Sequence, residues 1–319
     1  MLTLKQLRHA MALERHGHFH RAAQAEHISQ PALSRSIRAL EAQLGVTLFD
    51  RQGGGVEPTL FGVALLRHAV QALGETDELL REIELLRGLE AGQLQVAMGV
   101  YAAEMSAARS IGELVERHPG VTCRIRLTSW QELPGLVTAR SVDLGVGEIS
   151  TLGDLQELEV EALGRPRLVM FCRPGHPLAG RRDLSKEDLD GFPIVTPRLP
   201  PRGIGLVPGK TRVDPDTGDL LPTIEVDNLT SARLVLAGND AFGMATPVQI
   251  ESALRRGEFS VLDFHRPWME LDYGFIYLRN RMLSPAAKAY MEIVRDIDGE
   301  MRATNEALMA EVHAGLGRG

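Results

Sequence analysis

Residues 30–38 carry side chains that are suited to hydrogen-bonding a nucleic acid. If this segment is a helix, its polar residues lie on a different face from its apolar residues. The polar residues are Gln30, Ser34, Arg35 and Arg38. Glutamine and arginine present paired hydrogen-bonding groups that match base edges in the major groove, and serine and arginine also bind phosphates. We therefore predict base contacts from Gln30 and Arg35 and phosphate contacts from Ser34 and Arg38.

Two short helices are needed to position these side chains. Ser29 is a favourable N-cap, and Pro31 lies in the first turn, where its missing N–H costs nothing and its ring shapes the helix start. The apolar residues that follow are spaced to form one buried face ending at Gly45, and they are Leu33, Ile37, Leu40 and Leu44. An alanine-rich helix over residues 19–25 precedes them. Residues 19–38 therefore predict a helix-turn-helix.

A small hairpin, or wing, is predicted after this pair of helices. Residues 46–49 are apolar and typical of a short strand, and three consecutive glycines at 53–55 allow a tight turn. Arg51 and Thr59 flank this turn and are candidates for contacts with phosphates. Glu57 has the opposite charge, so we expect it to repel DNA slightly.

Residues 60–90 predict one long helix. Its apolar residues recur at mostly three- and four-residue steps, and they are Leu66, Val70, Leu73, Leu80, Ile83 and Leu86. A helix of this length needs a partner to cover such a stripe, and a second copy of the chain is the simplest one. This segment therefore favours self-association.

Strands and helices alternate after a hinge at residues 88–93. The predicted strands cover residues 94–100, 121–127, 142–147, 168–172, 192–196, 242–246 and 273–278, and the predicted helices cover residues 106–118, 228–238, 248–257 and 284–303. This alternation favours an α/β architecture with mostly parallel strands, in which ligands bind at the carboxyl ends of the strands.

A long motif in the first part of the chain resembles the LysR-type transcription regulator family. The residues that carry this resemblance are Ala22, Ala23, Ile28, Ser29, Gln30, Pro31, Ala32, Leu33, Ser34, Ile37, Leu40, Glu41, Leu44, Gly45, Leu48, Phe49 and Arg51. The resemblance continues through the wing, the long helix and the α/β part, so it covers nearly the whole chain. It implies regulation of transcription through double-stranded promoter DNA and a small-molecule effector.

The resemblance also implies a domain order. A winged helix-turn-helix DNA-binding domain would occupy residues 1–59, a linker and dimerisation helix residues 60–90, and a two-lobed effector domain like the periplasmic binding proteins residues 91–303. Lobe 1 would comprise residues 92–162 and 268–303, lobe 2 residues 163–267, and a C-terminal tail residues 304–319. The family implies a homodimer or homotetramer, with RNA polymerase as a further candidate partner.

By the same resemblance, the effector would bind between the lobes. The residues expected to contact it are Val100, Tyr101, Ala102, Thr128, Ser129, Trp130, Thr196, Pro197, Asn228 and Met244. Tyr101 and alanines stand where the family usually has a serine or threonine, so we expect an apolar or aromatic pocket with Thr128 and Ser129 as its few polar anchors. The expected ligand is a small organic acid, aromatic or otherwise.

Other classes of protein fit the sequence less well. The 319 residues, with 44% hydrophobic residues and a net charge of −7, contain no apolar run that predicts a membrane span or signal peptide, so we expect a cytoplasmic protein. Cys123 and Cys172 have no metal-binding spacing, and no catalytic motif is present, so neither a metal, a cofactor nor an enzymatic activity is expected. A solute-binding or sensor module without promoter recognition is the alternative.

Overall fold

A computed structural model of the chain describes residues 2–50, 55–87, 92–153 and 155–316. The chain divides into two compact units, residues 1–86 and residues 87–319. Among the described residues, no helix combines the length and the apolar character needed to cross a membrane. Each unit has its own core.

Three short helices, a two-stranded hairpin and one long helix form the first unit. They are α1 (Leu4–His16), α2 (Phe19–Ala25), α3 (Gln30–Leu44), β1 (Phe49–Asp50), β2 (Glu57–Pro58) and α4 (Leu60–Arg87). The predicted ends of α3 are confirmed: the Ser29 hydroxyl accepts the Ala32 N–H at 3.4 Å, and Gly45 is left-handed with φ 69°. Gly17 ends α1 in the same way, with φ 62°.

The core of the first unit is the apolar stripe of α3 packed against α1 and α2. Its fully buried residues include Ala10, Leu13, Ala22, Leu33, Leu40 and Leu48. The strand of the wing is shorter than the predicted residues 46–49, because it begins only at Phe49. The Glu41 carboxylate instead accepts the N–H groups of Leu48 at 2.8 Å and Phe49 at 3.3 Å, and so satisfies these backbone donors from α3.

Two five-stranded sheets form the second unit. The first sheet has the order β4 (Val121–Leu127), β3 (Gly92–Met98), β5 (Leu144–Glu148), β14 (Tyr273–Leu278) and β6 (Leu158–Gly164). The second has the order β11 (Ile224–Glu225), β8 (Ile194–Thr196), β12 (Phe242–Ala245), β7 (Val169–Cys172) and β13 (Ser260–Val261). A small separate hairpin pairs β9 (Arg212–Val213) with β10 (Leu220–Leu221). The second sheet is thus inserted in the chain between β6 and β14.

The sheets are mixed, which corrects the expectation of mostly parallel strands. Strand β3 pairs in parallel with β4 and β5, and β8 pairs in parallel with β11 and β12. The other pairs, which involve β6, β7, β13 and β14, are antiparallel. Two consecutive parallel strands need a connection that crosses back over the sheet within one lobe. Strands β6, β7, β13 and β14 instead stand where the chain leaves or enters a lobe, so this requirement does not apply to them.

Seven α-helices cover the sheets of the second unit within the described residues. They are α5 (Val100–Ala102), α6 (Ala108–Arg117), α7 (Glu132–Thr138), α8 (Lys186–Asp190), α9 (Leu229–Ala237), α10 (Pro247–Arg255) and α11 (Pro285–Leu316). A π-helical turn over residues 103–107 joins α5 to α6, and a 3₁₀ turn covers residues 201–203. The elements that were not predicted from the sequence are strands β6, β9, β10, β11 and β13 and helices α5, α7 and α8, and Val100, predicted to end a strand, begins α5 instead.

The C-terminal tail predicted for residues 304–319 is helical as far as Leu316, as the end of α11. Asn305 is buried there: its side-chain oxygen accepts the Val248 N–H and its amide donates to the Arg167 carbonyl, both at 3.3 Å. Met309 joins an apolar cluster of the inserted lobe that also contains Phe171 and Ile250. These tertiary contacts extend the helix beyond the predicted end at residue 303. Residues 317–319 lie outside the described part of the chain.

Candidate functional site

The predicted DNA-contacting residues of α3 lie on its outer face. Gln30, Pro31, Arg35 and Arg38 are exposed and Ser34 is half-buried, while the opposite apolar face is buried. The α3 surface, as these five residues are called below, therefore offers two guanidinium groups and one carboxamide to solvent. Side chains of this kind on a capped helix can reach base edges and phosphates.

A buried polar contact that was not predicted fixes α3 against α1. The Nδ1 atom of His9 lies 2.7 Å from the Ser36 hydroxyl, and His9 is buried. Burial lowers the pKa of His9, so the neutral ring is favoured. Ser36 lies one position after Arg35, and this hydrogen bond therefore helps to orient the α3 surface.

The two phosphate contacts predicted for the wing are Arg51 and Thr59. Arg51 lies outside the described residues. The Thr59 hydroxyl donates to the Thr47 carbonyl at 2.7 Å and accepts the Gly62 N–H at 3.1 Å. The Thr59 hydroxyl therefore helps to start α4, and its contact with a phosphate stays a prediction.

A cleft of about 610 Å³ lies in the second unit, between residues of its two sheets. Of the predicted effector contacts, those that line the cleft are Val100, Tyr101, Ala102, Thr128, Ser129, Trp130, Pro197 and Met244. The first six follow the carboxyl ends of β3 and β4, as expected for a ligand site in an α/β fold.

Thr196 and Asn228 are not among the lining residues, in contrast to the expectation. Thr196 is fully buried behind Tyr101, and the two hydroxyl oxygens are 3.1 Å apart. The Asn228 side-chain oxygen accepts the Ser231 N–H at 2.7 Å and caps α9. Both residues therefore support the cleft rather than line it.

Hydrogen bonds join the two lobes beside the cleft. The Tyr101 hydroxyl donates to the Met244 carbonyl at 3.2 Å, and burial raises the pKa of Tyr101 to about 12, so it stays protonated. The Trp130 indole N–H donates to the Arg198 carbonyl at 3.0 Å. Gln131 donates to the Asp219 carboxylate, also at 3.0 Å. The described arrangement is therefore one in which the lobes are in contact.

Charged side chains also line the cleft, although the sequence had predicted an apolar one. Arg202 lies 3.2 Å from the Glu148 carboxylate and 3.3 Å from Asp272, and Arg165 lies 2.9 Å from Asp272. Burial raises the pKa of Glu148, and the neighbouring Arg202 opposes that shift. Glu148 is the last residue of strand β5. Because ligands bind at the carboxyl ends of strands in α/β folds, this position could have identified Glu148 as a lining residue from the sequence.

Two family models match the chain. The model of the bacterial regulatory helix-turn-helix protein, lysR family, matches residues 4–63. The model of the LysR substrate binding domain matches residues 87–298. The α3 surface lies in the first match and the cleft lies in the second.

Curated relatives match over almost the full length. The chain is 34% identical, over 302 residues, to the SDS degradation transcriptional activation protein of Pseudomonas sp. (strain ATCC 19151), covering 93% of this chain and 97% of that protein. It is 28% identical to the HTH-type transcriptional regulator GbpR of Azospirillum brasilense, covering 96% and 90%. Both relatives are named as regulators of transcription.

Solved structures support the fold. CbnR, a LysR family transcriptional regulator solved in complex with its target DNA, is similar with a TM-score of 0.61 at 20% identity, covering 93% of this chain and all of that one. A full-length variant of OxyR from Pseudomonas aeruginosa has a TM-score of 0.62 at 18% identity, covering 93% and 95%. The chain therefore belongs to the LysR family, and it is a DNA-binding transcriptional regulator with an effector-binding substrate domain.

Proposed function

We propose that this regulator recognises its operator through the α3 surface. Gln30 and Arg35 would contact base edges in the major groove, Ser34 and Arg38 would contact phosphates, and Pro31 would hold the first turn of α3 against the groove. The observation that supports this proposal is the exposure of these polar side chains on a helix whose other face is buried and whose first turn is capped. Arg51 is proposed as a phosphate contact of the wing.

A binding titration with paired variants tests this proposal. The full chain is titrated with DNA from upstream of its own gene and with a scrambled fragment of equal length, at several salt concentrations. Arg35→Ala should remove about 1–3 kcal/mol of preference for the upstream DNA, because a bidentate contact to a base is lost. The control Arg8→Ala removes the same charge from an exposed position on α1 and should keep the preference.

The same titration can examine the wing. Glu57 is exposed on β2, so Glu57→Arg should raise affinity for both fragments and should make the dependence on salt steeper, by up to about 0.9 in log–log slope for one new phosphate contact. An Arg35→Ala protein that still prefers the upstream fragment would contradict the assignment. Equal, weak binding of both fragments by the unchanged chain would favour the alternative, a sensor module without promoter recognition.

We further propose that the effector binds in the cleft and shifts a balance between arrangements of the two lobes. The eight predicted residues that line the cleft support its use as the site. A ligand changes such a balance only through its different affinities for the two arrangements, and contacts with both lobes at once would supply that difference. The cleft offers such contacts, because Tyr101 and Trp130 come from one lobe and Pro197 and Met244 from the other.

Self-association through α4 is the third part of the proposal. This helix has 28 residues and exposes Leu79 and Ile83 on its second half. Pairing of α4 between two copies would bury such residues and join two DNA-binding domains, either in a homodimer or within a homotetramer. The family resemblance also favours contact of the DNA-bound oligomer with RNA polymerase.

A further inference from the structure

We infer that the cleft binds an effector with a positively charged amine on an aromatic or apolar body. This inference rests on the proposed use of the cleft as the effector site and adds the chemical class of the ligand. It differs from the organic acid expected from the sequence, because the charges of the cleft became apparent only in the folded chain.

The side chains that line the cleft carry more negative than positive charge. Its acidic residues are Glu132, Glu148, Glu225, Asp227, Glu270 and Asp272. Its basic residues are Arg165, Arg198 and Arg202. Six carboxylates against three guanidinium groups give a field that attracts a cation and repels an anion, and narrow clefts focus such fields.

The three arginines are already paired with carboxylates. Arg202 and Arg165 share Asp272, and Arg202 also binds Glu148. Arg198 lies 3.1 Å from the Asp214 carboxylate and 3.4 Å from Glu225. The charge of each guanidinium is therefore already balanced by at least one carboxylate, so a ligand carboxylate gains less there than it would from an unpaired arginine.

Three carboxylates of the cleft, those of Glu132, Asp227 and Glu270, have no arginine partner among the described residues, and only Glu132 accepts a hydrogen bond, from the Thr128 hydroxyl. Within the part of the chain that the structure describes, the side chains of Asp227 and Glu270 make neither an ion pair nor a hydrogen bond. An ammonium group could bind either of them without breaking a contact of the protein. A cation therefore adds an ion pair at a carboxylate that has none, whereas an anion would compete with carboxylates that already pair with the arginines.

Unpartnered buried atoms also point to a ligand. The Tyr273 side chain is fully buried and lines the cleft, and its hydroxyl has no hydrogen-bond partner among the described residues. The Gln131 side-chain oxygen and the Arg198 Nε, both from lining residues, are likewise buried and unpartnered within that part of the chain. Buried polar groups are normally satisfied, so these atoms favour a ligand with a hydrogen-bond donor for the Gln131 oxygen and an oxygen acceptor for the Arg198 Nε.

Aromatic rings supply the apolar part of the site. Tyr101, Trp130 and Trp268 line the cleft together with Tyr273. Aromatic faces attract alkylammonium groups and also pack against rings, so they suit an aromatic amine in both respects. A volume of about 610 Å³ lies within the usual range for small-molecule sites.

Three probes that share one ring test the charge of the ligand. They are tyramine, which is a cation, the neutral alcohol tyrosol, and the anion 4-hydroxyphenylacetate, and each is titrated by calorimetry against the full chain. We expect tyramine to bind about tenfold more tightly than tyrosol, and 4-hydroxyphenylacetate to bind most weakly. Both tryptophans of the chain line the cleft, so a change in their fluorescence would locate the binding there.

A matched pair of variants distinguishes the cleft from the rest of the acidic surface. Asp227→Asn removes one charge from the cleft and should weaken tyramine binding about threefold while leaving tyrosol unchanged. Asp296→Asn removes the same charge from an exposed position on α11, away from the lining residues, and should change neither.

The outcomes separate this inference from the proposal on which it rests. Equal binding of the three probes, or tightest binding of 4-hydroxyphenylacetate, with a change in tryptophan fluorescence would overturn the cationic ligand but keep the cleft as the effector site. Failure of all three probes to bind or to change the fluorescence would overturn both. Recognition of DNA by the α3 surface is judged independently by the titration with upstream DNA.

Discussion

The imidazole of His176 is buried in the inserted lobe, and its contacts stabilise the neutral form of the ring. Its Nδ1 accepts the Leu178 N–H at 3.0 Å, which leaves the Nε2 hydrogen to donate to the Asp240 carbonyl at 3.2 Å. The ring also packs on Phe192, with 4.7 Å between the centroids. Burial lowers the pKa of His176 from its ordinary value of 6.5, because protonation would cost both desolvation and the hydrogen bond from Leu178.

This environment predicts that acid weakens the second unit. The unfolded chain binds a proton at His176 more readily than the folded chain, so the stability gained from the neutral ring is present above pH 6.5 and is lost as the pH falls towards the lower folded pKa. His176→Gln should lower the free energy of unfolding by about 1–3 kcal/mol above that pH and should reduce its dependence on pH. Urea unfolding followed by tryptophan fluorescence measures this, because both tryptophans lie in the second unit.

The control is a histidine on the surface side of the same unit. His118→Gln changes a half-buried imidazole at the end of α6 and should keep the pH dependence of the unchanged chain. If His176→Gln and the unchanged chain lose stability equally between neutral pH and pH below 6.5, the neutral His176 ring is not the cause.

At the scale of elements, α4 provides a test of self-association. Ile83 is 38% exposed on this helix, although it belongs to the apolar stripe predicted from the sequence. Ile83→Glu should weaken the proposed association between copies at least about tenfold, because burying an isoleucine contributes about 1.5–3 kcal/mol and a buried carboxylate adds a penalty. Sedimentation equilibrium measures the dissociation constant.

A second substitution on α4 separates the apolar stripe from a general effect of charge. Gln71→Glu adds the same charge at an exposed polar position about a third of a turn around the helix and should leave the dissociation constant unchanged. Equal weakening by the two substitutions would argue against the apolar stripe as the contact between copies.

Helix α11 shows how tertiary contacts set the length of an element. Its first half packs in a core that includes Tyr290 and Val294, and Asn305 and Met309 in its second half contact residues of the inserted lobe. Periodicity indicated a helix over residues 284–303 but did not show what residues beyond 303 would contact. The extension depends on Arg167, Val248 and Phe171, which are distant in the sequence.

At the scale of the whole effector unit, the hydrogen bonds beside the cleft hold the lobes together. Tyr101→Phe keeps the ring but removes the donor to the Met244 carbonyl and the contact with Thr196. We expect the free energy of the arrangement in which the lobes touch to rise by about 1 kcal/mol. More open arrangements therefore become more populated. Amide hydrogen exchange should accelerate at residues 194–199 and 242–246.

A tyrosine away from the cleft provides the comparison for that measurement. Tyr277→Phe removes a hydroxyl from a half-buried ring on β14 that does not line the cleft, and it should not accelerate exchange in the inserted lobe. Unchanged exchange in Tyr101→Phe would show that the other contacts, such as those of Trp130 and Arg202, hold the lobes without Tyr101.

The sequence was sufficient for the features that depend on neighbouring residues. Ser29, Gly45 and the apolar stripe between them predicted the ends and the exposed face of α3, because caps and helical periodicity act within a few positions. Strands β4 and β14 were predicted with the bounds that the structure has, because each is a continuous segment with a strong strand pattern. The motif around α3 also indicated the family.

The charge of the cleft and the contacts of its supporting residues required the folded chain. Arg202 and Glu148 are 54 positions apart, and Arg165 and Asp272 are 107 apart, so only the insertion of one lobe into the other brings these pairs together. Asn228 was likewise assigned to binding because its hydrogen-bond partner inside the protein was not visible in the sequence. A polar side chain is available to a ligand only after the fold has satisfied its own backbone, and that balance is a property of tertiary structure.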